Sequence, residues 1–206
     1  MRISQTIFKY KFLSCNFFIT DNSNTTDSFK AFYVSNSSTY LNYSMYLSFL
    51  LTFEDEETNE KITESFVISF FDMFKFKSMI NNLIEIFTSD YYEEYEHIEK
   101  GLMLRIKPEF KKVIKMTNTT KTSQIGFFPK ILYRRKEDFY YPAIRVFINR
   151  DDLSIDIPVD NFLSILYNIK DIDMHLYATN LLNSYLNNKL VAKQSYKKYS
   201  SNIKEN

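Results

Sequence analysis

Apolar and polar residues alternate with a period of two along much of this chain, and the period lengthens to that of a helix in three places. Residues 3–20 alternate loosely and are rich in Phe, Ile and Tyr, which predicts a strand. The polar run Asp21 to Ser28 predicts a loop, and a short strand (31–34) and a turn (36–39) lead to a long strand over 40–53. Acidic Glu54 to Glu60 reads as a hairpin connection into a strand over 61–71, where Phe66, Ile68 and Phe70 share one face. Phe76, Met79, Ile80, Leu83, Ile84 and Phe87 then recur at three- and four-residue intervals, which places them on one face of a helix. Asp90 to Lys100 reads as a polar link or an acidic helix end.

The second half repeats this order. Leu102 to Ile106, Lys111 to Met116, Ile125 to Arg134 and Pro142 to Ile148 are expected strands, with polar Asn118 to Ser123 between the second and third. Asn149 to Asp152 predicts a turn, after which Leu153, Ile155 and Ile157 share a face of a short strand. Asp160 is the expected cap of a helix carrying Phe162, Leu163, Leu166 and Ile169. Asp171 is the expected cap of another, with Met174, Ala178, Leu181, Leu182, Tyr185 and Leu186 as its stripe. The expected fold class is therefore α+β: two antiparallel β-sheets, each followed by helix, with the helices packed between or against the sheets. One domain over 1–190, made of two similar halves (about 1–100 and 101–190), would end in a flexible basic tail over 191–206.

Composition fits a chain with an ordinary core, at 45% hydrophobic and 25% charged residues. The 20 Phe and 16 Tyr, set against 2 Gly and no Trp, point to an AT-rich genome such as a low-GC bacterium or its phage. The lone Cys15 excludes an intramolecular disulfide, leaves no cysteine cluster for zinc, and reads as a small buried hydrophobe. Lys9 and Lys11 interrupt the N-terminal segment, which does not read as a signal peptide. No apolar run approaches the roughly 18–20 residues of a membrane span. The expectation is a cytoplasmic protein, in the host cytoplasm if phage-encoded, with no membrane partner.

Recognisable catalytic equipment is missing from the sequence. Gly101 and Gly126, the only glycines, cannot supply a GxGxxG turn or a phosphate loop, which need several positions free of Cβ. His97 and His175 stand far apart, each among acids, and read as solvated or structural. Glu54 to Glu57 lacks the spaced ligands and glycine of a calcium loop, and Asp151 with Asp152 reads as turn chemistry. The expectation is a non-enzyme without cofactor or metal.

Charge is where function becomes legible. The net charge is +1, yet residues 1–100 carry 8 Lys and Arg against 15 Asp and Glu, whereas residues 101–206 carry 18 against 10. Within the basic half, cations and rings interleave: Phe127, Phe128, Lys130, Tyr133, Arg134, Arg135, Lys136, Phe139, Tyr140, Tyr141 and Arg145 crowd two strands and their connection. Single-stranded nucleic acid needs this pairing, because cations neutralise phosphates while exposed rings stack on unpaired bases. Strand alternation puts Lys130, Leu132 and Arg134 on one face, with Ile131 and Tyr133 on the other. Arg145 and Arg134 are expected to share a solvated face. The candidate nucleic-acid-binding residues are Lys130, Tyr133, Arg134, Arg135, Lys136, Tyr140 and Arg145.

The repeated order of strands then helix ends in Leu153-Ser-Ile-Asp-Ile-Pro-Val-Asp-Asn-Phe-Leu-Ser-Ile-Leu166 and a long closing helix. Over roughly residues 30–188 this element order resembles the Whirly-type fold of plant organelle proteins and phage single-stranded DNA-binding proteins. The resemblance implies two antiparallel sheets with helices between them, and a homo-oligomer that turns its sheets outward to single strands. The alternative is a protein-interaction or virion structural protein, or an inhibitor of a host enzyme, that uses the same charge asymmetry against a protein partner or for head-to-tail packing.

Overall fold

The structure, a computed structural model, describes residues 2–21, 29–35, 37–54, 60–99, 101–118 and 120–185; at 2, 21 and 29–43 it describes the backbone alone. The expected tail over 191–206 lies outside the described residues, as do most of the acidic residues between Glu54 and Glu60. Contacts divide the chain into two compact units, one of residues 1–5, 17–45 and 173 onward, the other of residues 6–16 and 46–172. Neither coincides with a half of the chain divided near residue 100.

The expected α+β class with antiparallel sheets is present. Strands β1 (Arg2–Tyr10), β2 (Leu13–Asp21), β3 (Phe29–Ser35), β4 (Ser37–Glu54) and β5 (Lys61–Ser69) form a sheet of order β1-β2-β4-β3, with β5 also on β4. At 18 residues β4 is long enough to pair with β3 along 37–43 and with β5 along 46–54. Strands β6 (Tyr92–His97) and β7 (Gly101–Ile106) pair as a separate ribbon. Strands β8 (Ile114–Thr117), β9 (Gln124–Arg134), β10 (Phe139–Ile148) and β11 (Arg150–Pro158) form an antiparallel meander. Where two sheets were expected, the described residues therefore form three.

Helices α1 (Met73–Thr88) and α2 (Val159–Lys170) follow the two sets of strands, and residues 174–185 form a further helix, α3. Strand β5 gives way to α1 at Ser69, whose hydroxyl accepts the Asp72 N–H at 3.3 Å and donates to its carboxylate at 3.0 Å. The hydroxyls of Thr88 and Ser89 donate to the carbonyls of Ile84 and Ile86, so the last turn of α1 is closed by its own side chains.

Four expectations need correcting. Residues 3–20 are not one strand but a hairpin, turned at Lys11 with φ of 48°. Residues 92–97 are strand β6 and not a link or helix end; this ribbon buries too little on either face to need an apolar alternation. Pro158 holds the N-cap position of α2, and Asp160 lies in its first turn, where a carboxylate favours the positive end of the helix dipole. Asp171 follows the last turn of α2, and it is the Asp173 carboxylate that caps α3, accepting the N–H groups of His175 (2.9 Å) and Leu176 (3.1 Å).

The core of the larger unit is aromatic. Phe162 of α2 lies with its ring centroid 5.6 Å from both Phe87 of α1 and Phe127 of β9, and Phe87 meets Tyr91 at 5.4 Å. Ile144, Val146 and Ile148 of β10 and Ile155 and Ile157 of β11 are buried with them. Phe76 of α1 reaches Phe49 of β4 at 5.4 Å. Cys15 is fully buried, and burial pushes its thiol far above the usual range. In the smaller unit Phe17 and Tyr177 meet at 5.7 Å, with Ile19, Met174, Ala178 and Leu182 buried.

Gly126 has a steric reason. A Cβ there would lie 2.2 Å from the ring of Phe147, the residue opposite it on β10, and Phe147 is itself buried. Gly126→Ala is expected to destabilise the fold by about 1–3 kcal/mol, because the ring must leave its position. Urea denaturation measures the cost, and an unchanged midpoint would show that the ring has room to shift.

Candidate nucleic-acid interface

The seven candidate residues lie on β9, β10 and the turn between them, and the register sorts them by face. Lys130 stands opposite Ala143, Arg134 opposite Phe139, and Arg145 opposite Phe128. Opposed residues share a face of a sheet, so Lys130, Arg134 and Arg145 lie on one side with Phe128, Leu132, Phe139 and Tyr141. Tyr133 and Tyr140 oppose each other on the other side.

Along the hairpin, burial changes sharply. Ile125, Phe127, Ile144, Val146 and Ile148 are buried, whereas no residue from Lys130 to Pro142 is. Lys130 to Leu132 and Tyr140 to Pro142 are half-buried, and every residue from Tyr133 to Phe139 is exposed, so cover thins towards the tip of this arm. Tyr133 and Phe139 are 47% and 40% exposed, far more than rings in a core.

The arm's side chains are held in place by one another. The rings of Tyr133 and Tyr140 meet at 4.9 Å, tilted by 39°, and the Tyr133 hydroxyl donates to the Asp138 carboxylate at 2.5 Å. That hydrogen bond raises the Tyr133 pKa above the usual phenol range. On the opposite face, the Arg134 guanidinium lies 5.4 Å from the ring centroids of both Phe139 and Tyr141 and donates to both Glu137 oxygens, at 3.0 and 3.1 Å. Arg135 and Lys136 occupy the turn, exposed, with no ion pair among the described residues. Asp138 turns the chain with φ of 51°.

Arg145 stands apart from this group. Its Nε and Nη2 donate to the two oxygens of Asp156 on β11, each at 2.8 Å, and the Lys130 ammonium lies 3.9 Å from the same carboxylate. The β10–β11 register makes this pairing, since Arg145 stands opposite Asp156. Two cations share one carboxylate here, which leaves one excess positive charge on the face that carries Arg134. The Arg145 hydrogen bond, and then its charge and that of Lys130, hold the Asp156 carboxyl below the usual carboxylate range.

The sign of the pH effect follows. A carboxyl depressed in the folded state adds stability above its unfolded pKa of about 3.9, and loses it as pH falls through the folded value. Asp156→Asn is expected to remove about 1 kcal/mol at neutral pH, a low figure because the pair is part-exposed. It should also flatten the acid limb of stability below about pH 4. Denaturation midpoints measured from pH 7 to pH 3 test this, and parallel curves for wild type and variant would contradict it.

Asp151 and Asp152, expected in a turn, lie instead on strand β11, which begins at Arg150 directly after the turn at Asn149. The His97 Nδ1 accepts the Glu99 N–H at 3.3 Å. Arg150 and Asp152 pair on the exposed start of β11, and such a pair contributes little in water. Among the described residues no group of three His, Cys, Asp or Glu side chains is placed to hold a metal ion, and no helix is long and apolar enough to cross a membrane. Strand β7 matches the strand expected over 102–106, whereas β6, the pairing of Arg145 with Asp156 and the hold of Asp138 on Tyr133 are not foreseen from the sequence. Of these three only β6 has a signal there, as Tyr and Glu interleave over 92–96. No family model, curated protein or solved structure matches this chain.

Proposed function

We propose that this chain binds single-stranded nucleic acid, DNA in the first place, without catalysis, and that the distal β9–β10 arm is its contact. The observation that supports this reading is the exposure of every residue from Tyr133 to Phe139, at the place where rings and cations coincide. A core strand does not leave Tyr133 and Phe139 in water, and an ordinary wet face does not concentrate rings.

The chemistry is direct. An unpaired base stacks on an exposed Tyr133 or Phe139 ring for about 1–3 kcal/mol. Arg135 and Lys136 meet the phosphates and release counterions. Lys130 lies four residues from Arg134 on one face, roughly 13 Å along the strand, so positive charge continues down the path of a bound backbone. A Tyr133 ring already packed on Tyr140 and hydrogen-bonded to Asp138 loses little freedom on binding. Such a protein suits replication or recombination, the role implied by the Whirly-type resemblance.

Ultraviolet crosslinking to an oligothymidine strand, followed by peptide mapping, tests the assignment. Crosslinks are expected at Tyr133, Phe139 or Tyr140. Crosslinks confined to peptides outside residues 130–145 would overturn the site, and a strand that does not bind would overturn the function.

A further inference from the structure

The β6–β7 ribbon pairs with no other sheet among the described residues. Its register places Glu93 opposite Arg105 and Tyr95 opposite Met103 on one face. There Arg105 pairs with Glu93 at 2.5 Å and lies 5.2 Å from the centroid of the Tyr95 ring, so the charge on that face is met within the ribbon. The other face differs. Glu94 opposes Leu104 and Glu96 opposes Leu102, and neither glutamate has an ionic or hydrogen-bonding partner among the described residues. Leu102 is 61% exposed, and Ile98 at the tip is fully exposed.

Strand β7 packs against β9 and β10 of its own chain, while Leu102 and Ile98 towards the tip of the ribbon stay in water. The β9–β10 arm carries the complement: Arg135 and Lys136 without acidic partners, flanked by the exposed rings of Tyr133 and Phe139. Carboxylates beside aliphatic side chains match cations beside rings. The chain as a whole repeats this pattern, with acidic and basic halves that nearly cancel. Since the two surfaces differ, a contact between them is heterologous and joins copies head to tail.

We propose that the Glu94 and Glu96 face of the β6–β7 ribbon docks on the β9–β10 arm of a second copy of this chain. Glu94 and Glu96 meet Arg135 and Lys136, and Ile98 and Leu102 cover the ring of Tyr133. A second copy and a nucleic acid then compete for one arm. The contact itself needs no nucleic acid.

Sedimentation velocity on the protein alone, over a range of micromolar concentrations at about 0.05 M and about 1 M salt, tests this. Wild type is expected to sediment faster as concentration rises at low salt, and to lose that dependence at high salt. E94K/E96K and R135E/K136E should each weaken association at least about tenfold, because like charges then face each other. An equimolar mixture of the two variants should associate again, since each restores an opposite-charge contact with the other. All four positions are exposed, and recovery in the mixture shows that both variants fold. Wild type that stays monomeric at low salt overturns the proposal. So does a variant that associates like wild type, or a mixture that stays monomeric. Because no nucleic acid is present, failure here is separate from failure of the binding function.

Discussion

Alanine at Tyr133, Arg134, Arg135 and Lys136 together is expected to weaken binding to a single strand by about 3 kcal/mol, roughly a hundredfold. One lost stacking ring and two or three lost phosphate contacts suffice for that figure. The salt dependence carries a second signature. Each phosphate contact adds about 0.7 to the slope of log K against log salt for a single strand, so loss of three cations should flatten that slope by about 2. Stability should barely move, since all four residues are exposed. Anisotropy titrations of wild type and variant at several salt concentrations measure both quantities. Unchanged affinity and slope would place the contact elsewhere.

Phe162→Ala has the opposite profile. The ring is 1% exposed and bridges Phe87 and Phe127, tying α2 to α1 and β9. Its loss leaves a cavity among rings that cannot easily close, at an expected cost of about 3–5 kcal/mol. Urea denaturation should show a lower midpoint with an unchanged slope. Phe139→Ala, on the uncovered arm, is expected to change stability by less than about 1 kcal/mol. A cost for Phe139→Ala equal to that for Phe162→Ala would mean that the arm is part of the core.

The contrast between these rings also shows where sequence patterns inform and where they stop. The stripe Phe76, Met79, Ile80, Leu83, Ile84 and Phe87 predicts α1; Phe76, Ile80, Leu83 and Phe87 are buried and Met79 and Ile84, at its edges, half-buried, because a helix packed on a sheet must repeat its apolar residues every three or four positions. The turn at Lys11 has no such signal. A positive φ is ordinarily marked by Gly or Asn, and here a lysine adopts it. Capping depends on reach more than on residue type: of the neighbouring candidates Asp171 and Asp173, only the second places its carboxylate on the free N–H groups of α3.

For the candidate site, composition carries the interleaving of rings and cations, and period two carries their division between faces. Their partners depend on register. Asn149, with φ of 59°, turns β10 into β11, and the pairing shifts between Phe147 and Ile148 before Arg145 comes opposite Asp156. A slip of one residue would move the Asp156 carboxylate to the other face and leave Arg145 unpaired. Nothing in the order of residues specifies that shift. Whether a ring such as Tyr133 ends in a core or in water depends on how far the other elements extend along the hairpin. Here their cover ends before Tyr133.

The most direct test is the affinity of the wild-type protein for a labelled single strand of about 30 nucleotides and for a duplex of equal length, at low and physiological salt, read by fluorescence anisotropy. Stacking on unpaired bases and phosphate neutralisation together predict micromolar or tighter binding that prefers the single strand and weakens steeply with salt. No binding to the single strand at low salt, or equal binding to the duplex, would contradict the account.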